Sequence, residues 1–478
     1  MQQLDNWMER NFRKIFGAIL IVAAAMYAVF SLDPLVWADE AYSFALVRHS
    51  YADIWKITAA DSHPPLFYFF LKTFTAPFGY NLTVARFVSA LPCLGVLALG
   101  GIQLRKLFGT RTAVLFMVLY LFFPYLMHYT VEVRMYSIGQ LLILVNGIYA
   151  YRCWKWNRKL DWVFFVLGGV GAALSHYFAL VSAGLIYATL LIMLLWKKRS
   201  LLKGWLLASL ATVVLYLPWL GCFIGQLIFK ANNVYWIDPI TPGTIVDYVL
   251  TVFSADAMLL YPLFLGLAYL IALVAMLRSR DKEHVGLSIC ALAIPLGTIA
   301  VGVIASVLMR PVFVIRYVTP ALPLIVFFFA YALAHMKSEV LAASLLTVAL
   351  MGGINNAATI AKTAVIPEPD RLSVERVAQL PEYDAFVVMS GNSLHASQEL
   401  CYCDRVTPVY TSELLGPDNP YPNRVDLTAF SAQEHDSVIL VLQEGAEVPA
   451  EYLEHYSAEA IWTVNVSGTY ETLWHLTK

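Results

Sequence analysis

The chain has 478 residues, of which 59% are hydrophobic and 14% charged, and its formal net charge is −1. Soluble domains carry about 25% charged residues, so this composition excludes an ordinary soluble protein. The net charge conceals an acidic C-terminal region, which argues against nucleic acid as a partner.

Apolar runs follow one another through the first three quarters of the chain. A helix that spans a bilayer needs about 20 apolar residues. We predict a polytopic α-helical membrane protein with about eleven spans, near residues 15–32, 82–103, 112–128, 136–151, 162–177, 178–196, 204–221, 258–277, 285–306, 317–335 and 339–360. The first run follows basic residues as a secretory signal does, but the many later spans favour an uncleaved helix.

The distribution of Lys and Arg predicts the orientation of these spans. With the N-terminus inside, the inner segments hold 18 of the 32 Lys and Arg residues, whereas the outer segments of the membrane part hold 8. An odd number of spans then places the C-terminal region outside. We therefore expect a cytoplasmic N-terminus and an extracytoplasmic C-terminal domain.

The composition changes near residue 363, so we predict a membrane domain over 1–362 and a soluble domain over 363–478. From Pro367 to Lys478 there are 18 Asp and Glu against 5 Lys and Arg, and no long apolar run. The predicted elements are strands at 384–389, 406–410 and 437–442, helices at 372–380 and 393–400, and a hairpin of 460–466 with 470–476 across Ser467-Gly468. Short strands alternating with helices indicate a small α/β domain.

A long outer segment, residues 33–81, joins the first two spans and carries the adjacent carboxylates Asp39 and Glu40. Its aromatic-rich stretches at 42–55 and 66–74 are predicted as interfacial helices. Carboxylates at the mouth of a membrane bundle are functional candidates, and one of them could accept a proton from an acceptor hydroxyl during glycosyl transfer. The alternative is that Asp39 is the N-cap of a helix that continues to Ser43.

His63 is the second candidate in this segment. It precedes Pro64 and Pro65, which fix an extended turn and so fix where the imidazole points. It could donate to a phosphate or to a sugar hydroxyl. The alternative is a plain surface turn before an interfacial helix.

Three arginines are candidates for an anion site on the same outer face. Arg134 lies two residues after Glu132, and a guanidinium matches the geometry of a phosphate with two donors. Arg310 and Arg316 flank a short apolar stretch, and few Asp or Glu residues lie near them in the sequence. The alternatives are an interfacial ion pair of Glu132 with Arg134, and nonspecific binding of lipid headgroups by the other two.

Aromatic and imidazole side chains complete the candidate site. We expect Tyr136, His176, Tyr177 and Tyr317 to line it. The alternative for His176 and Tyr177 is that their polar groups simply face the membrane–water interface. A second interfacial element is predicted over 226–243.

These candidates suit a sugar donor carried on a polyprenyl monophosphate. The leaving phosphate monoester has a modest charge that arginines can neutralise, whereas a nucleotide diphosphate usually needs Mg²⁺ or Mn²⁺ held by clustered carboxylates. We therefore predict no cofactor, with a divalent metal as the alternative. The stretch 168–171, Gly-Gly-Val-Gly, lies inside an apolar run, so it indicates close helix packing and not a dinucleotide site.

The motifs together resemble the GT-C superfamily of integral membrane glycosyltransferases. They are most similar to glycosyltransferase family 39, which includes protein mannosyltransferases and aminoarabinose-to-lipid A transferases. The resemblance covers roughly residues 15–335 and is carried by Asp39-Glu40, Ser62-His63-Pro64-Pro65-Leu66-Phe67-Tyr68, Glu132-x-Arg134-Met135-Tyr136, and Arg316-Tyr317 with Pro320 and Pro323. It implies a polyprenyl-phosphate sugar donor, Asp39 as the base, and interfacial helices in the first outer segment. We expect Glu40 to assist Asp39.

We therefore predict an inverting glycosyltransferase at the outer face of a bacterial cytoplasmic membrane. Its expected partners are the polyprenyl-phosphate sugar donor, a lipid or cell-envelope glycan acceptor, and membrane lipids. Protein mannosyltransferases carry a different type of soluble insertion, which makes a protein acceptor the weaker expectation. The alternatives are a flippase or transporter of lipid-linked glycans, a protein O-glycosyltransferase, and a scaffold whose acidic tail binds a partner.

Overall fold

The protein is described by a computed structural model that covers residues 2–232, 237–255, 258–366, 374–389, 407–412, 417, 419–421, 423–466 and 469–478. The first part of the chain is helical. Its helices are α1 (Gln2–Phe30), α2 (Ala38–Leu46), α3 (Tyr51–Ala60), α4 (Leu66–Thr75), α5 (Leu82–Leu99), α6 (Arg105–Phe108), α7 (Thr110–Leu121), α8 (Pro124–His128), α9 (Tyr136–Trp156), α10 (Lys159–Ser175), α11 (Tyr177–Lys197), α12 (Leu202–Asn232), α13 (Pro242–Phe253), α14 (Tyr261–Leu277), α15 (Lys282–Leu308), α16 (Leu322–His335) and α17 (Glu339–Val365).

The C-terminal part combines short helices with a sheet. Its elements are α18 (Val374–Ala378), β1 (Ala385–Val388), β2 (Val409–Thr411), β3 (Arg424–Asp426), β4 (Ser437–Gln443), α19 (Ala450–Leu453), β5 (Ser457–Val466) and β6 (Thr469–Thr477). The predicted strands and hairpin are found at these positions. The predicted helix at 393–400 and the hairpin turn Ser467-Gly468 lie outside the described residues.

Several helices are long and apolar enough to cross a membrane. Within the described residues there are seven such segments, at Gln3–Phe30, Leu82–Phe108, Tyr177–Lys197, Arg199–Phe229, Lys282–Leu308, Ile315–His335 and Glu339–Val365. Three shorter apolar helices are Thr110–Leu121, Pro242–Phe253 and Tyr261–Leu277. The predicted class, a polytopic helical membrane protein with a C-terminal α/β region, is confirmed, while the number of eleven spans stays a prediction.

Proline and local hydrogen bonding move some helix boundaries. The predicted span 112–128 is interrupted, because α7 ends at Leu121 and α8 restarts with Pro124 as its first residue. Helix α12 continues past the predicted end to Asn232, so residues 226–232 are helical and not an interfacial loop. Helix α13, which the sequence analysis missed, starts with a capping box in which Thr241 and Thr244 each accept from the other's backbone N–H.

The contacts within the chain define two compact units. The first, called the bundle unit, comprises Met1–Ala28, Ser62–Phe67 and Ser89–Ala361. The second, called the loop–tail unit, comprises Val29–Asp61, Tyr68–Val88 and Lys362–Lys478. Most of the first outer segment thus shares a unit with the C-terminal region.

Helix α16 lies in the core of the bundle unit, with every residue from Leu322 to Leu333 buried. Helix α9 packs on α10 at close range because Gly168 has no side chain. A Cβ built there would lie 2.7 Å from the backbone nitrogen of Asn146. The side-chain amide of Asn146 donates to the carbonyl oxygen of Phe165 at 2.8 Å. The predicted role of the glycines at 168–171 in close helix packing is confirmed at this position.

The loop–tail unit contains a six-stranded sheet in the order β3-β2-β1-β4-β6-β5. The first four of these strands are parallel, and β6 is antiparallel to both β4 and β5. Phe386 and Val387 of β1 belong to different buried clusters, so both faces of the sheet are covered. A central parallel strand that is apolar on both faces is typical of α/β domains.

The same unit links the tail to helix α2. The side chain of Tyr421 packs with Ala45, a buried residue of α2. Just after this helix, His49 Nε2 lies 2.7 Å from the carbonyl oxygen of Pro420, to which it donates. The tail therefore supports the segment that carries Asp39 and Glu40.

Candidate active site

Asp39 lies in the first turn of α2. The helix begins at Ala38, and its N-cap is Trp37, whose backbone is extended with φ −109° and ψ 167°. The alternative interpretation of Asp39 as the N-cap is therefore wrong. A half-buried carboxylate in this position is favoured by the positive end of the helix dipole.

Glu40 is buried and forms an ion pair with Arg86. Arg86 Nε lies 3.0 Å from Glu40 Oε1, and Nη2 lies 2.6 Å from Oε2, with both side chains only 4% exposed. The guanidinium also donates to the backbone carbonyls of Asp33 and Leu35. Arg86 thus fixes both the connection from α1 to α2 and the first turn of α2.

Arg86 was not among the predicted site residues, although the sequence carried a signal for it. It is an arginine inside the apolar run 82–103, where an ionisable residue needs a partner. The pairing joins residues 46 positions apart, so it could not be assigned from spacing. It gives Glu40 a definite structural task and distinguishes it from Asp39.

A cavity of about 210 Å³ lies in the bundle unit. Five predicted site residues line it, namely His63, His176, Tyr177, Arg310 and Tyr317. Its apolar wall includes Phe178, Leu180, Val181, Phe223, Leu227, Met309 and Val312. The cavity is therefore amphipathic, with polar donors on one part of its wall and hydrocarbon on the rest.

His63 is held by Arg134 and Ser62. Nη2 of Arg134, a buried residue, lies 3.3 Å from His63 Nε2, and Ser62 Oγ lies 3.3 Å from Nδ1. Because a guanidinium only donates, Nε2 is the acceptor, which leaves the proton of the neutral ring on Nδ1. Arg134 does not itself line the cavity, but it orients a residue that does.

His176 joins α10 to α11 and takes the opposite tautomer. Its Nδ1 accepts the backbone N–H of Phe178 at 3.2 Å, which caps α11 and leaves the ring proton on Nε2. The ring centroid lies 4.9 Å from that of Tyr317, 5.9 Å from that of Tyr136 and 6.3 Å from that of His63. Four predicted site residues are thus brought into one aromatic and imidazole cluster.

Tyr177 is fixed against α12. Its hydroxyl donates to Gln226 Oε1 and accepts the indole N–H of Trp219 at 3.2 Å. Both partners belong to α12: Trp219 lies near its centre, and Gln226 lies in its last two turns. Gln226 also lines the cavity. A phenol held in this way presents a defined oxygen to a ligand.

Arg316 lies beside this cluster. Its guanidinium carbon is 5.9 Å from the centroid of the Tyr317 ring. Burial raises the pKa of Tyr129 to about 12, with the Glu132 carboxylate acting in the same direction, whereas the charge of Arg316 lowers that pKa. Arg316 therefore lies next to Tyr317, a residue of the cavity wall, although it does not itself line the cavity.

The ten predicted site residues divide between the two units. Asp39 and Glu40 belong to the loop–tail unit, and the remaining eight belong to the bundle unit. Over the described ranges, no group of three or more His, Cys, Asp and Glu side chains is arranged to hold a metal ion. Independence from a cofactor stays a prediction.

Residues 62–221 match a family model described as dolichyl-phosphate-mannose-protein mannosyltransferase. This range includes His63, Arg134, Tyr136, His176 and Tyr177. A comparison with curated proteins finds no match.

Among solved structures, the chain resembles the crystal structure of ArnT from Cupriavidus metallidurans in the apo state. The two share 14% sequence identity and a TM-score of 0.64, and the match covers 98% of each chain. The Archaeoglobus fulgidus oligosaccharyltransferase, solved as a complex with Zn and sulfate, matches with 13% identity and a TM-score of 0.41 over 80% of this chain and 61% of that one. The likeness to ArnT, with a TM-score of 0.64, shows that the chain shares the fold of that structure.

Proposed function

From the confirmed resemblance to the GT-C superfamily, we infer that this chain is a membrane glycosyltransferase. We propose that it moves a monosaccharide from a polyprenyl-phosphate donor to a lipid or cell-envelope glycan acceptor. We place this reaction at the outer face of a bacterial cytoplasmic membrane, in keeping with the distribution of Lys and Arg along the sequence. The cavity lined by His63, His176 and Arg310 is the observation that carries the proposal.

The polar part of the cavity suits a phosphate monoester. Arg310 lines it directly, and Arg134 and Arg316 contact His63 and Tyr317, which also line it. Guanidinium groups bind phosphate through charge-assisted hydrogen bonds that strengthen where water is scarce. We assign these three arginines to the donor phosphate, with His63, Tyr136, His176, Tyr177 and Tyr317 around the donor.

The apolar wall suits the lipid part of the donor. Leu180, Phe223 and Met309 supply hydrocarbon surface next to the polar groups. Because lipid tails are as apolar as these side chains, the isoprenoid chain of the donor can pass from the bilayer to this wall without exposing apolar surface to water. A soluble nucleotide sugar would gain nothing from this wall.

We assign the role of general base to Asp39. As the acceptor oxygen bonds to the anomeric carbon, Asp39 would take the proton of the acceptor hydroxyl. The bond from the anomeric carbon to the phosphate oxygen breaks, and the polyprenyl phosphate leaves with the electron pair, which inverts the anomeric carbon. Glu40, held by Arg86, would be a positioning residue that keeps the first turn of α2 in place.

A protein acceptor is a second candidate, because the matching family model describes protein mannosyltransferases. The two can be separated by reconstituting the protein in liposomes with a labelled polyprenyl-phosphate sugar and an envelope extract. We expect the label in the lipid or glycan fraction, whereas label in the protein fraction would favour the second candidate. Failure to transfer from any lipid-phosphate sugar, combined with a cavity that becomes accessible from both sides in turn, would overturn both in favour of a flippase.

A further inference from the structure

A second cavity of about 230 Å³ lies in the bundle unit, apart from the candidate active site. The active-site cavity involves the first residues of α11 and the last of α15, whereas this one involves the last residues of α11 and the first of α15. Helix α11 has 21 residues and is therefore about 30 Å long, close to the thickness of a bilayer core. The two cavities thus lie at opposite ends of the same pair of helices.

The interior of this second cavity is apolar. It is walled by Leu144, Ile186, Leu190, Ile294 and Phe327, which are aliphatic or aromatic side chains from four helices. Gly286 of α15 lies on the wall, and a Cβ built there would meet no heavy atom within 4 Å, so the space beside it is open. An apolar space of this kind inside a membrane protein suits a hydrocarbon chain.

The mouth of the cavity is basic. Lys197 and Lys282 line it, and both are exposed at the ends of their helices. The carboxylate at the mouth, Glu283, accepts the hydroxyl of Tyr151 at 2.9 Å. Basic pockets between membrane helices attract anionic lipid headgroups.

Aromatic rings frame the same mouth. Trp154 lines the cavity, and Lys198 lies 4.5 Å from the centroid of its ring and donates to its backbone carbonyl. Lys155 lies 5.5 Å from the centroid of the Tyr151 ring. Tryptophan and tyrosine next to lysine are typical of the level of the lipid headgroups.

We propose that this cavity binds one anionic glycerophospholipid, with an acyl chain against the apolar wall and the headgroup phosphate at Lys197 and Lys282. We choose a phospholipid as the occupant because the two lysines and the aromatic rings at the mouth mark the level at which phospholipid headgroups lie. It is independent of the reaction assigned to the other cavity. A polyprenyl phosphate shares the same chemistry, so the test distinguishes the two.

The test is native mass spectrometry of the full chain titrated with phosphatidylglycerol, phosphatidylcholine or a long-chain polyprenyl phosphate. We expect one phosphatidylglycerol molecule to bind tightly and phosphatidylcholine to bind with lower affinity. The double variant Lys197→Gln/Lys282→Gln should lose about ten- to thirtyfold in phosphatidylglycerol affinity, whereas Lys159→Gln/Lys203→Gln, two exposed lysines outside the cavity lining, should match the wild type.

A cavity-filling variant tests the apolar part. Gly286→Trp should prevent tight binding of phosphatidylglycerol, while Gly184→Trp, at an open position that does not line the cavity, should leave it unchanged. Wild-type phosphatidylglycerol affinity in the double lysine variant would overturn the site. Tighter binding of the polyprenyl phosphate, lost in the same variants, would overturn the occupant.

Discussion

Glu40 and Arg86 form a buried two-point ion pair, with distances of 3.0 Å from Nε to Oε1 and 2.6 Å from Nη2 to Oε2. Arg86 also donates to the carbonyls of Asp33 and Leu35 just before α2. The pair therefore ties the start of α2 to the start of α5. It explains why two adjacent carboxylates, Asp39 and Glu40, need not share one role.

Breaking this pair should cost much stability. Arg86→Met should lower the free energy of unfolding by about 3–5 kcal/mol, because it leaves the Glu40 carboxylate buried without its counter-charge. The double variant Glu40→Gln/Arg86→Met should be more stable than Arg86→Met alone. Chemical unfolding in detergent measures these two variants and Glu40→Gln alone, and simple additivity of the two substitutions would contradict the coupling.

A more exposed ion pair in the same chain provides the control. Arg111 Nη1 lies 3.0 Å from Oε1 of Glu339, and the Glu339 side chain is 39% exposed. Arg111→Met should therefore cost at most about 1 kcal/mol. A loss as large as that of Arg86→Met would show that burial does not set the difference.

Removing an arginine from the donor cavity should weaken use of the donor. Arg310→Gln should lower kcat/KM for the lipid-phosphate sugar about 10- to 100-fold, since a charge-assisted hydrogen bond contributes about 1.5–3 kcal/mol. The measurement is transfer at subsaturating donor in liposomes. Arg280→Gln, an exposed arginine before α15, should behave as the wild type, and an equal loss in both variants would contradict the assignment.

The glycine contact between α9 and α10 should tolerate no added carbon. Gly168→Ala should destabilise the protein by about 1–3 kcal/mol, because the added Cβ would lie 2.7 Å from the backbone nitrogen of Asn146. Gly184→Ala, where nothing lies within 4 Å, should be neutral or stabilising by about 0.5–1 kcal/mol. Similar stabilities for the two variants would show that the helices can separate without cost.

The hydrogen bond from His49 to Pro420 should hold the tail to the segment after α2. His49→Ala should raise the rate of limited proteolysis in the loop–tail unit about two- to tenfold, in line with a net hydrogen bond of about 0.5–1.5 kcal/mol. His455→Ala, an exposed histidine of the tail, is the matched control. Unchanged proteolysis of the His49 variant would mean that the 2.7 Å contact carries no stability.

Much of the fold could be predicted from the sequence, because long apolar runs have few alternatives in a membrane. The described helices α11, α15 and α16 lie close to where hydropathy placed them. The exceptions are local. Pro124 restarts a helix inside one predicted span, and the capping box at Thr241 starts a helix in a stretch with no strong apolar run.

The candidate site was predictable in composition but not in arrangement. Residue type and side of the membrane selected His63, His176 and Tyr317, and the structure brings them to one cavity although they are far apart in the sequence. Residue type also allowed Asp39 as an N-cap, but the helix begins one residue earlier, with Trp37 as its N-cap. The partner of Glu40 depended on tertiary packing and could not be read from spacing.

The central claim is that Asp39 is the base of a membrane glycosyltransferase. The most direct measurement is the transfer rate of Asp39→Asn with saturating polyprenyl-phosphate sugar. The control is Asp53→Asn, because Asp53 is an aspartate of α3 in the same outer segment and its side chain is 48% exposed. We predict that the Asp39 variant folds, inserts and binds the donor but loses about 10²–10⁴-fold in kcat, whereas the Asp53 variant keeps wild-type transfer. Transfer by Asp39→Asn at a rate close to the wild type would contradict the claim.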